Sequence, residues 1–143
     1  MKFLILNGPN LNLLGKREPE IYGTTTYEEL LTQVSEYAAE KGVFVEFLQS
    51  NHEGDLVDAI QRADGVFDGV VLNAGGYTHT SVALLDAIRA VSVPVAEVHL
   101  TDPDKREEFR KVNFIRPAAA VSVVGKGVSG YNEALDLLIE RLG

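Results

Sequence analysis

Five short apolar runs alternate with segments of helical periodicity along this chain, and that alternation constrains its fold more than any other feature. Phe3 to Leu6 reads as a buried strand, and a long loop rich in Gly, Asn and Pro follows from Asn7 to about Thr24. Thr25-Thr26-Tyr27-Glu28 has capping-box spacing, so a helix starts there. Leu30, Leu31, Val34, Tyr37 and Ala38 then recur at helical spacing, and Gly42 sits where a C-cap glycine belongs. Val43 to Leu48, Phe67 to Leu72, Pro94 to Val98 and Ala118 to Val124 read as four further strands. Between and after them, helices are expected over Asp55 to Ala63, Thr80 to Val91, Lys105 to Lys111 (short and charged) and Asn132 to Leu142.

Strand–helix alternation implies a parallel sheet with helices on both faces. The strands carry Val and Leu runs rather than clean alternation, as strands buried on both faces should. At 143 residues the natural architecture is one α/β domain, residues 1–143, a flavodoxin-like three-layer sandwich around a five-stranded parallel sheet. An eight-stranded barrel would need roughly 200 residues or more.

Composition narrows the function. The 45% of hydrophobic residues supplies a sizeable core. A net charge of −8 argues against nucleic acid and anionic membrane as partners, since both need a basic surface. With no cysteine, thiol nucleophiles, disulfides and cysteine-ligated metals are excluded. The apolar run at the N-terminus is too short for a signal-peptide core, and no stretch approaches the ~20 residues of a membrane span. A cytoplasmic protein is expected.

Ligands of open α/β sheets bind beyond the carboxyl ends of the strands. Here those ends carry Asn7-Gly8-Pro9-Asn10, Gln49-Ser50-Asn51-His52, Asn73-Ala74-Gly75-Gly76-Tyr77-Thr78-His79 and Glu97-Val98-His99-Leu100-Thr101. Asn, Gly and Ser are also ordinary turn residues, which accounts for any one of these loops more easily than for all of them together. Gly125-Lys126-Gly127-Val128-Ser129-Gly130 matches G-x-G-x-x-G, but the chain ends too soon afterwards for a dinucleotide fold, so a tight glycine turn is the better reading. Gly8-Pro9-Asn10 makes no phosphate loop, because proline has no N–H to donate and no G-K-[ST] follows. His52, His79 and His99 lack the close helical spacing of a zinc pair.

Two pairs of side chains suggest acid–base chemistry, and a third suggests anion binding. Glu97 and His99 fall on one face of the fourth strand, where a carboxylate could orient an imidazole. Arg17 and Tyr22 share the long first loop, residues 8–24, which suits an active-site lid. Unperturbed, only about one tyrosine in a thousand is phenolate at pH 7. A guanidinium within about 4–6 Å favours the phenolate. The ordinary alternative is a surface tyrosine and an arginine paired with Glu18 or Glu20. Arg106 and Arg110 lie in a charged segment with Glu107 and Glu108, which reads either as a solvated ion-pair face or as a site for an anionic substrate.

Together these segments resemble the type II 3-dehydroquinate dehydratase family over nearly the whole chain. The resemblance rests on Ile5 to Gly15, Arg17-Glu18-Pro19 with Tyr22-Gly23, and Gln49-Ser50-Asn51 with Glu53-Gly54. It continues in Asn73 to Ser81, Glu97 to Thr101, Arg106-Glu107 with Phe109-Arg110, and Gly130-Tyr131. It implies an anti elimination of water from 3-dehydroquinate, through an enolate, with neither cofactor nor metal. By resemblance, Tyr22 is the base, Arg17 holds its phenolate charge, Asn10 stabilises the enolate through a water, and His99 protonates the leaving hydroxyl. Asn73, His79 and Arg110 resemble the groups that hold the ring hydroxyls and carboxylate, and Leu100-Thr101 the backbone turn that binds the carboxylate. Asp86 resembles a carboxylate that reaches a neighbouring subunit's active site, in a homododecamer built of trimers.

The chain departs from the family pattern at Leu85, Thr101, Asp102, Lys111 and Asn113, none of which is a proposed acid, base or enolate group. Two other functions fit the pattern: a non-catalytic flavodoxin-like binding module, and an enzyme using enolate chemistry on a different hydroxy acid.

Overall fold

The computed structural model describes residues 1–143. Its strands are β1 (Lys2–Asn7), β2 (Phe44–Gln49), β3 (Gly69–Asn73), β4 (Val95–His99) and β5 (Val121–Val124). Its helices are α1 (Pro19–Tyr22), α2 (Tyr27–Lys41), α3 (Glu53–Ala63), α4 (Val82–Ala90) and α5 (Ser129–Leu142). All strand pairs are parallel, in the order β2-β1-β3-β4-β5. That order is the flavodoxin-like winding, with its switch point between β1 and β3.

The period of two in the strands sorts the core into two layers. Phe3 and Ile5 of β1, with Val71, Ala96, Val98 and Val123, pack against Leu30 and Val34 of α2 and Tyr131, Leu135 and Leu138 of α5. Leu4 and Leu6, with Val70, Leu72 and Val95, pack against Leu56, Ala59 and Ile60 of α3 and Leu84 and Ile88 of α4. Double-sided burial holds for β1, β3 and β4, but the edge strand β2 is only partly covered, and Phe44 at its start is exposed.

The helix ends follow local chemistry. The capping threonine of α2 is Thr26, one residue later than expected, because its side chain accepts from the Glu29 N–H at 3.1 Å. Gly42 closes α2 in the left-handed region, as expected. Ser81 caps α4 by accepting from the Leu84 N–H. The fifth strand starts later than Ala118, since the N–H groups of Ala118 and Ala119 turn back onto the Ile115 carbonyl.

The expected helix over Lys105–Lys111 does not form. Two 3-10 turns, Pro103–Lys105 and Glu108–Lys111, replace it. Arg106 between them is extended (φ −113°, ψ −152°), which breaks the i, i+4 relation between Arg106 and Arg110. The glycine-rich loop after β5 is a turn packed on its neighbours, as expected: the Gly125 N–H donates to the His99 carbonyl and the Gly127 N–H to that of Leu100. It therefore braces the end of β4.

Candidate active site

A pocket opens at the carboxyl ends of β1, β3 and β4, beside the switch point. Of the residues singled out from the sequence, Asn10, Arg17, Tyr22, Asn73, His79, His99, Leu100, Thr101 and Arg110 all line it. Asp86 does not; it is exposed on α4. Arg106, left out of the expected site, lines it as well.

Close backbone approach builds the floor. The Gly8 N–H donates to the Asn73 carbonyl at 2.7 Å, and a Cβ on Gly8 would sit 2.6 Å from the Ala74 oxygen. Only glycine lets the two strand ends meet this closely. Asn10 lies in the left-handed region (φ 70°), which asparagine tolerates, and its N–H is held by Asn51 Oδ1 at 3.0 Å. Gln49 Nε2 donates both to the Gly8 carbonyl and to Asn51 Oδ1, so the end of β2 fixes the loop that carries Asn10.

Tyr22 stands at the end of α1, half-buried, with two guanidinium groups on its phenol oxygen. Arg17 Nη2 donates to it at 3.2 Å and Arg106 Nη1 at 2.7 Å. Both guanidiniums also lie against the ring, 4.3 and 5.0 Å from its centroid. The extended backbone at Arg106 directs it here. No local sequence signal marks it, because Asp102-Pro103 is an ordinary helix start and the charged residues that follow read as a helix face.

His99 is buried, with its Nε2 2.7 Å from Glu97 Oε2. Glu97, 1% exposed, accepts from four side chains: His99 and Asn113 on Oε2, and Arg116 and Ser122 on Oε1. Burial by itself would raise this carboxyl, but the bonds and charge of His99, with those from Asn113 and Ser122, outweigh it and hold it at about 2. An ionised carboxylate only accepts, so His99 carries a proton on Nε2 and offers Nδ1 for proton transfer.

His79 lines the same pocket. Burial lowers it from the usual imidazole range, against the contact of Nδ1 with the Val112 carbonyl at 2.7 Å. The neutral ring thus donates from Nδ1 and leaves Nε2 as an acceptor. Arg110 uses Nε on Glu107 and keeps its terminal nitrogens for an anion. Asn73, nearly buried, accepts from the Gly75 N–H and donates to the Tyr131 hydroxyl. His52 is exposed and outside the pocket, and no three His, Asp or Glu side chains converge as a metal site would require.

This geometry agrees with the relationships of the chain. The family model described as dehydroquinase class II matches residues 1–139. A 3-dehydroquinate dehydratase of Corynebacterium glutamicum is 53% identical over 137 residues, 96% of this chain and 94% of that protein. One of Ruegeria pomeroyi is 55% identical over 139 residues, 97% and 93% of the two chains. The crystal structure of a type II dehydroquinase from Butyrivibrio crossotus superimposes with a TM-score of 0.95, at 46% identity, covering 97% of each chain. By family match, by identity across almost the entire length and by fold, this chain belongs to the class II dehydroquinases.

Proposed function

We propose that the protein dehydrates 3-dehydroquinate to 3-dehydroshikimate by anti elimination through an enolate, with neither cofactor nor metal. The observation that carries the reading is the phenol of Tyr22 between two guanidinium groups, in one pocket with a buried His99 that Glu97 orients. Two guanidiniums donate to one phenol oxygen, which fixes that oxygen in the pocket beside positive charge, where the reaction needs its base.

Tyr22 removes the proton beside the substrate ketone, and the charge develops on the ketone oxygen. Asn10 stabilises that enolate through a water. His99 Nδ1 then delivers a proton to the departing hydroxyl, leaving the enone. Anti elimination needs base and acid on opposite faces of the ring, which suits a base on the loop of residues 8–24 and an acid at the end of β4. That loop acts as the lid. Arg110 and the Leu100-Thr101 turn hold the carboxylate, while Asn73 and His79 hold the ring hydroxyls.

The same reading assigns the enzyme to the shikimate pathway in the cytoplasm, as a homododecamer. The exposed position of Asp86, outside its own chain's pocket, supports a role at a neighbouring subunit's site. Light scattering on the purified protein tests the stoichiometry. Enone absorbance from dehydroquinate, with a chelator present, tests the activity: a steady rise supports it, and a flat trace from folded protein refutes it.

A further inference from the structure

We infer that Tyr131 is a positioning residue that acts through Asn73, anchoring the Asn73 side-chain amide in the orientation that turns an N–H to the pocket. Tyr131 lies on α5, beneath the carboxyl ends of β1 and β3, and is fully buried. Its hydroxyl contacts two buried amides: Asn7 Oδ1 at 2.6 Å and Asn73 Nδ2 at 3.1 Å. A buried phenol beneath a polar pocket is costly unless each of its bonds is made.

The direction of this chain follows from donor inventory. The Gly75 N–H can only donate, and it lies 3.1 Å from the Asn73 amide, so the amide oxygen must face Gly75. The amide nitrogen must then face Tyr131, which accepts from it. The single phenol proton is left for Asn7, whose oxygen accepts it, and whose nitrogen is turned to the Tyr27 hydroxyl at 3.4 Å. Burial raises the Tyr131 phenol above the usual tyrosine range, so it keeps that proton. Reversing the Asn73 amide would set its N–H against that of Gly75, and reversing Asn7 would leave the buried phenol proton without its acceptor.

The consequence reaches the pocket. Asn73 uses one of its two Nδ2 protons on Tyr131 and has the other free. The locked amide therefore offers an N–H, rather than a carbonyl oxygen, to a substrate hydroxyl or carboxylate oxygen. Without the phenol oxygen the amide loses its anchor on the side away from the pocket.

The test is a double-mutant cycle with dehydroquinate as substrate, so its kinetic arm rests on the function proposed above. Tyr131→Phe should raise KM about five- to tenfold with little change in kcat, the scale of one hydrogen bond. In an Asn73→Ala background the same substitution should add nothing. Effects that multiply across the two backgrounds would overturn the inference, because a merely structural role weakens both equally. A second measurement uses the unaltered protein and covers a Tyr131→Phe variant that does not fold. With asparagine 15N-labelled, the Asn73 side-chain protons should exchange unequally, one protected by Tyr131 and one not. Equal, fast exchange of both refutes the lock. Wild-type protein that shows this protection but no turnover would sink the proposed activity and leave the lock standing.

Discussion

Arg106 Nη1 sits 2.7 Å from the Tyr22 hydroxyl, closer than Arg17 Nη2 at 3.2 Å. The two cations come from different parts of the chain: Arg17 from the loop that also carries Tyr22, Arg106 from the extended residue between two 3-10 turns. We predict that Arg106→Ala lowers kcat/KM by about 10- to 100-fold, the scale of a hydrogen bond to a charged group, and at least as much as Arg17→Ala does. An Arg106→Ala variant with the wild-type kcat/KM would mean that Arg17 alone holds the Tyr22 oxygen.

Tyr22→Phe removes only the ionisable oxygen. Tyr22 is half-buried, and its oxygen meets only the two arginines, so the fold should persist with an unchanged circular dichroism spectrum. Turnover should fall by about 10²–10⁴ at every pH, the usual contribution of a general base. A variant that retains near-normal rates shifts the base to another group.

How much of this was legible in the sequence differs between the sheet and the site. The strands showed themselves through runs such as Phe3 to Leu6, and the polar ends of those strands marked the correct edge of the sheet. Glu97 and His99 could be paired by alternation alone. The remaining support of Glu97 could not, because Asn113, Arg116 and Ser122 come from 16, 19 and 25 residues away, through sheet packing and the turn at Ile115. Arg106 was hidden for a different reason. Its neighbours Lys105, Glu107 and Glu108 make an ordinary charged helix face, and only the extended backbone at that one residue turns it inward. Pattern alone left Tyr22 as a surface residue beside Arg17; family resemblance and then the second guanidinium changed its meaning.

Arg110 lines the pocket with its Nε committed to Glu107, which leaves its terminal nitrogens without a side-chain partner. A guanidinium presented this way suits a carboxylate held equally in ground and transition states. Arg110→Ala should therefore raise KM by at least tenfold with kcat little changed. Steady-state kinetics decide it: a kcat that falls in step with kcat/KM would show Arg110 acting on the transition state instead.

Glu97 links the site to stability. Its carboxyl is held at about 2 in the fold against 4.5 unperturbed. A depressed acid binds fewer protons folded than unfolded, so its contribution is complete above about 4.5 and is lost as pH falls toward 2. At about 1.4 kcal/mol per unit, the contribution at neutral pH is on the order of 3 kcal/mol. Glu97→Gln keeps the shape but has no proton to exchange. Denaturant unfolding should find the variant less stable at pH 7, with the gap narrowing steadily between pH 5 and pH 3 as the wild type loses its advantage. The other acids titrate in both proteins and cancel in the comparison. A gap that stays the same from pH 7 to pH 3 would mean that the variant is less stable for reasons other than the lost charge, and that the ionisation of Glu97 does not contribute to holding the end of β4 in place.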